Sequence, residues 1–170
     1  MGSVVKAEAV AAEERNEQLQ YLTFMLGGEV FAVGILAIKE IIEYGQLTEV
    51  PRMPEFIRGV INLRGAVVPV VDLGARFGKA PTQVSRRTCI VIVEVRDGDG
   101  YQVVGIMVDA VNEVLEIPAQ NIEPPPAFGA KIRADFIAGM GKVDERFVII
   151  LNVDKVLSVD EISELASSRA

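Results

Sequence analysis

The stretch GVINLRGAVVPVVDL, residues 59–73, sets one cation, Arg64, beside Gly65 at the turn of an otherwise aliphatic hairpin. A guanidinium there can serve three kinds of chemistry: anion binding or catalysis, one half of a structural ion pair, or charge on a docking surface. Catalysis would need companions, and they are scarce. The chain contains no His, which removes the commonest general base and metal ligand together. Its single Cys89 stands in RTCIVIVEV with no imidazole to activate it, and the strand-forming residues around it describe a core thiol. Asp72 and Asp109 each follow an apolar run, and paired carboxylates can divide acid and base roles. An Asp at a strand end more often caps the next turn, and no motif joins these two. RDGDG (96–100) alternates carboxylates as a calcium loop does, but it lacks the later ligands and the closing Glu, and it fits a hairpin turn. There is no glycine-rich phosphate loop of the strand–turn–helix kind. The sequence therefore offers no catalytic constellation and calls for no metal or cofactor.

The elements around these residues read as β structure. Val and Ile far outnumber Leu, an excess that favours sheet over helix. A chain of 170 residues can bury a real core as one medium domain or two very small ones. The net charge is −7 and the Lys and Arg are scattered, which argues against nucleic acid and against anionic lipid. No apolar run approaches the roughly 18 residues of a membrane helix, so insertion into a membrane is not expected. Residues 1–18 are Ala- and Glu-rich, with no secretory core, and read as a flexible tail of a cytoplasmic protein.

From Leu19 onward the apolar period is two. Strands are expected near 20–26 and 30–34 around Gly27-Gly28, over EIIEY after a helical turn in ILAIKE, and near 59–63 and 66–72. Pro69 cannot donate to a ladder, which puts its strand at an edge or the residue at a bulge. Asp72 suits the N-cap of a short helical turn, and the polar stretch 79–87 is the best mid-chain boundary. TCIVIVEV and YQVVGIMVD make a second hairpin, NEVLEI a further strand, and 136–143 with 146–153 the last pair. Ser158 and Glu161 have capping-box spacing, so 158–170 is expected to hold a short C-terminal helix and tail. VPRMPEF and IEPPPAF are stiff connectors carrying Phe56 and Phe128, each either a docking knob or a plug of its own core.

The two halves echo each other. VGILAIKEIIE (33–43) pairs with VGIMVDAVNEVLE (104–116), aligning Glu40 with Glu113, and FIRG (56–59) pairs with FIAG (136–139). The drifting offsets describe a divergent duplication. Small sheets of about five strands close readily on themselves and lose their open edges. The expected architecture is all-β: two packed five-stranded barrels over 19–157, the first about 20–80 and the second about 86–157, with strands free to exchange between them.

Taken in order, EVFAVGILAIKEIIE, LTEVPRMPEFIRGVINLRGAVVPVVDL, VGIMVDAVNEVLEI, IEPPPAF and FIAGMG resemble the CheW-like coupling proteins of bacterial chemotaxis, from about Tyr21 to Leu157. FIRGVINLRG followed by PVVDL is the most specific part of the match. The resemblance implies two SH3-like five-stranded barrels and a non-catalytic adaptor without cofactor. Such adaptors link the cytoplasmic tip of methyl-accepting chemoreceptors to the regulatory domain of a histidine kinase, in membrane-associated arrays where coupler and kinase domains alternate in rings. Carried over, Ile38, Glu40, Asn62, Arg64 and Gly65 match positions of receptor or kinase contact, and Gly105 and Val114 match second-barrel positions tied to the same work. Glu123 and Phe128 match the ring contact with the kinase, although Glu123 is acidic where some members are basic. An ion pair between Arg64 and Glu40 is expected. The chain ends soon after Leu157, which fits a stand-alone coupler. Coupling in pilus motility or another chemosensory pathway shares the same pattern. A small-molecule-binding barrel, the remaining alternative, would need a deep polar pocket. A homo-oligomer pairing its own apolar faces is a third reading.

Overall fold

A computed structural model describes residues 19–45, 47–125 and 132–158 of the chain. The alternating pattern forms strands β1 (Gln20–Leu26), β2 (Glu29–Gly34), β3 (Ile38–Glu43), β4 (Ile57–Leu63), β5 (Ala66–Asp72), β6 (Cys89–Asp97), β7 (Gly100–Val108) and β8 (Ala110–Glu116), followed by β9 (Ile122–Glu123), β10 (Ile137–Val143) and β11 (Arg146–Leu151). Among the described residues that is eleven strands, one more than the period-two pattern marks out. The extra one, β9, is only two residues long, too short for alternation to reveal. The expected helical turn in ILAIKE is a single 3-10 turn over Ile35–Ala37. The strand expected to run to residue 153 stops at Leu151, because Asn152 caps a one-turn helix over Val153–Val156. The tail 1–18, Phe128 and all but Ser158 of the C-terminal segment 158–170 lie outside the described residues.

The strands form two sheets, one of six strands in the order β8-β1-β2-β11-β10-β9 and one of five in the order β3-β6-β7-β5-β4. The expected count was five and five, and β9 makes the difference. Sheet membership crosses the polar stretch 79–87. Hairpin β1–β2 from the start of the chain pairs with strands of the second half, and hairpin β6–β7 pairs with strands of the first. Taking β1, β2, β8, β10 and β11 as counterparts of β6, β7, β3, β4 and β5 reproduces the same strand order, and each sheet contains one parallel pair, β2–β11 or β7–β5. The duplication read from FIRG and FIAG is thus a structural one, in which each sheet uses the other half's hairpin.

Each sheet has two apolar faces, which accounts for the runs of consecutive Val and Ile. In β6, Val91, Val93 and Val95 face a core shared with Phe24, Phe31, Phe77 and Phe136, while Ile90 and Ile92 face a second core with Val68, Val70 and Met107. The six-stranded sheet has its own small core of Ala32, Ile117, Val148 and Ile150. In the five-stranded sheet the chain after β3 returns to the other edge strand, β4, where Thr48 and Val60 exchange backbone hydrogen bonds of 3.0 and 2.8 Å as an isolated bridge. Pro69 is not on an edge strand, since β5 lies between β4 and β7. It lies opposite Val60, and pairing with β7 begins only at Val70, so the missing N–H falls just outside the parallel ladder.

Candidate functional site

The hairpin β4–β5 closes through Arg64 and Gly65, paired at Leu63 and Ala66. Both turn residues are left-handed, with φ of 53° and 88°. A two-residue turn of this hand matches the twist of the strands it joins, and Gly65 takes such a φ without steric cost. Arg64 does not, so a cation here stands on a mildly strained backbone. The Asn62 side chain braces the turn, its Oδ1 accepting from the Gly65 N–H at 2.9 Å. The corresponding turn of the six-stranded sheet, Asp144-Glu145, is also left-handed, with φ of 48° and 66°. The strain belongs to the fold, and the choice of Arg belongs to this surface.

Arg64 Nη2 donates to Glu40 Oε2 at 2.8 Å, the expected ion pair. It joins opposite edges of the five-stranded sheet, with Glu40 on β3 and Arg64 beyond β4. The Arg64 side chain is 77% exposed and that of Glu40 25% exposed, so the pair is a surface feature. Large apolar groups are exposed on the strands that carry it: Val67 on β5 at 68% and Ile41 on β3 at 44%. Glu40, Asn62, Arg64 and Gly65 therefore form one cluster. Ile38 lies two residues before Glu40, half-buried against the shared core.

The other sequence-derived positions lie elsewhere. Gly105 is inside: a Cβ there would sit 2.7 Å from Ile90 Cγ2 and 3.4 Å from Val70 Cγ2, so this glycine lets β5, β6 and β7 pack closely and offers no surface of its own. Val114 and Glu123 occupy the two opposite edge strands of the six-stranded sheet, both exposed. Phe56 is buried in the shared core, which removes it as a docking knob.

The residues considered for catalysis have structural tasks. Asp72 is fully buried and accepts from the Thr82 N–H and Oγ1, both at 2.9 Å, from Arg58 Nη1 at 3.2 Å and from the Ala75 N–H at 3.4 Å. It caps the helix Leu73–Arg76 and ties the 79–87 connector to the sheet. Asp109 accepts from the Gly27 N–H at 2.8 Å and so holds the β1–β2 turn. Cys89 is half-buried, its thiol directed to the Arg87 carbonyl at 3.4 Å. Asp97 and Gly100 pair across the Gly98-Asp99 turn as a plain hairpin, and no group of three potential metal ligands occurs among the described residues.

A groove between the barrels goes with the coupling role, but its residues were not marked by the sequence. A shallow groove of about 360 Å³, mainly apolar, is lined by Tyr21, Val33–Ala37, Ala138 and Ile150–Val153. It lies where β2 leaves the six-stranded sheet toward β3 of the other, and Leu36 stands at its rim, 60% exposed. Burial raises the pKa of the Tyr21 phenol above its ordinary value. The only advance signal was Gly34 followed by Ile-Leu-Ala, an apolar run at a strand exit.

The chain is a duplicated all-β unit with an exposed ion pair and an apolar groove, and Asp72 and Asp109 are engaged in holding its turns. Comparison with known proteins gives the family. The CheW-like domain model matches residues 20–161, and the chain belongs to that family. It is 35% identical over 163 residues to the chemotaxis protein CheW of Klebsiella aerogenes, covering 96% of this chain and 95% of that one. It is 32% identical over 151 residues to the protein FrzA of Myxococcus xanthus, covering 88% and 91%. The crystal structure of scaffolding protein TtCheW from Thermoanaerobacter tengcongensis superposes with a TM-score of 0.75 at 36% identity, over 84% of this chain and 90% of that one.

Proposed function

We propose that the chain is a chemotaxis scaffolding protein that couples chemoreceptors to the regulatory domain of a histidine kinase, without catalysis of its own. The observation that carries the coupling role is the Arg64–Glu40 cluster. An exposed pair stabilises a fold by less than about 1 kcal/mol, and Arg64 sits on left-handed backbone that Gly or Asn would occupy more readily. Stability does not explain such a residue on a surface where β5 and β3 also expose Val67 and Ile41, whereas a partner does, because Arg with exposed apolar groups is a favoured interface composition. In this reading Glu40, Asn62, Arg64 and Gly65, with Ile38 behind them, meet the kinase or the receptor. Val114 and Glu123 act on the other sheet, and Phe128, outside the described residues, shares the kinase contact of Glu123. Gly105 shapes the strands beneath. The apolar groove takes an amphipathic receptor helix, whose spaced apolar side chains suit a shallow trough. Receptor binding would hold the protein at membrane-associated arrays, although no described helix is long and apolar enough to cross a membrane.

The test is capture of the purified chain by two immobilised probes, a chemoreceptor cytoplasmic-tip fragment and a kinase regulatory domain. Binding to both, lost for one or both on Arg64→Ala, supports the reading. Binding to neither overturns it.

A further inference from the structure

Arg76 ends the short helix Leu73–Arg76 and is buried, with 9% of its surface exposed. Its Nε donates to the backbone carbonyl of Val156 at 2.7 Å. Its guanidinium carbon lies 4.9 Å from the ring centre of Phe56 and 4.8 Å from that of Phe136. Phe56 and Phe136 open the two repeated motifs. Arg76 and Val156 are also counterparts, each closing the one-turn helix that follows a repeated hairpin, β4–β5 or β10–β11. Near the centre of the duplication, a side chain from one half therefore grips the backbone end of its own counterpart in the other.

The helix being gripped lies at the groove. Asn152 and Val153 line it, and Val156 ends the same turn three residues later. A one-turn helix has almost no stability alone, since nucleation is costly and its terminal carbonyls have no partner within the helix. Support must come from outside. Arg76 supplies a charge-assisted hydrogen bond to one of those carbonyls and stacks over two aromatic rings. Phe136 carries a second guanidinium, that of Arg133 at 4.4 Å, and Arg133 is itself fixed by hydrogen bonds of 3.0 and 2.7 Å to Asp135.

We infer that Arg76 is a positioning residue for the groove: it fixes the helix Val153–Val156 from the neighbouring sheet and thereby sets the wall formed by Asn152 and Val153. The inference rests on the proposal that the groove receives a partner. It also gives the two sheets a direct mechanical link, because Arg76 belongs to the half that carries the Arg64 turn while the wall it holds belongs to the other.

The test uses the full chain and two variants, Arg76→Met and Arg76→Lys. Met keeps an apolar stem between the rings without the donor. Lys keeps a cation but has neither the planar fork nor a donor at the Nε position. Hydrogen exchange is read at the Val156 and Leu157 amides, which donate to Asn152 and Val153, and at Val91 and Ile106 in the shared core. The expected result in both variants is exchange about tenfold faster at Val156 and Leu157, with less than about twofold change at Val91 and Ile106. Capture by the receptor-tip fragment should weaken in parallel. A uniform rise at all four amides makes Arg76 a general stabiliser and overturns the inference, and so does unchanged exchange at Val156. Local loosening with undiminished capture overturns the link to the groove. If the Met variant does not fold, the Lys variant carries the same readouts. If the wild-type chain captures no receptor fragment, the functional proposal fails, while the exchange result still decides whether Arg76 holds the helix.

Discussion

Replacing Arg64 by Gly should leave the stability of the fold nearly unchanged and weaken assembly. The substitution removes the 2.8 Å pair with Glu40, but the Arg64 side chain is 77% exposed. The loss is therefore below about 1 kcal/mol, and Glu40, itself a quarter exposed, can turn to water. Against this, φ at residue 64 is 53°, and relieving a left-handed non-glycine residue returns about 1 kcal/mol. Glycine's greater freedom in the unfolded chain takes back roughly 0.5–1 kcal/mol. The three effects nearly cancel, leaving the variant within about 1 kcal/mol of wild type. With a urea m-value of order 2 kcal/mol/M, the midpoint moves by less than about 0.5 M. The chain has no Trp, so far-UV circular dichroism is the appropriate signal. In parallel, capture into a ternary complex with the receptor fragment and the kinase regulatory domain should fall at least about tenfold, the loss expected of one interface Arg worth more than about 1.4 kcal/mol. A fall of more than about 2 kcal/mol in stability would refute the surface account of Arg64, and wild-type assembly by a folded variant would refute the contact account.

Substitutions at two further positions probe the frame behind that surface. Asp72→Ala strips the acceptor from buried Thr82 and from Arg58, whose side chain is 29% exposed, and should cost about 3 kcal/mol in urea unfolding, with Asp72→Asn costing less. Gly105→Ala drives a methyl to 2.7 Å from Ile90 Cγ2 and should cost about 1–3 kcal/mol in the same assay. Weakened assembly by a fully stable Gly105→Ala variant would show that this glycine does more than pack.

Hairpins were the most legible part of the fold, because turn chemistry and alternation are local. Gly27-Gly28, Arg64-Gly65 and Gly98-Asp99 all connect the strands expected of them. Partnership between hairpins was not legible. Nothing in β1 states that its neighbour is β8, which begins 84 residues beyond the end of β1. Pro69 misled for the same reason, since the rule that bars proline from a central ladder says nothing of where along a strand the ladder starts. At the site, Glu40 and Arg64 were expected to pair and do. Gly105 entered only through the family resemblance, because glycine leaves no pattern of its own, and its packing against Ile90 and Val70 could not be read from the sequence. Arg76 was invisible as anything but a helix-ending cation, since its aromatic partners lie 20 residues before it and 60 after it.

The exchange of hairpins between the halves bears on how the chain is born. On the ribosome, β1 and β2 emerge first and fold back on each other at once, but a lone two-stranded hairpin is marginal in water. The strands that flank them in the finished sheet are β8 and β11. The β8 side of that sheet can be completed soon after residue 116 is made, but the β11 side waits for residue 151, whereas the five-stranded sheet, built entirely from residues 38–108, can close earlier. Strands made before all the others are thus among the last to find their place, and a break in the 79–87 connector would leave two pieces, each holding a hairpin that the other needs.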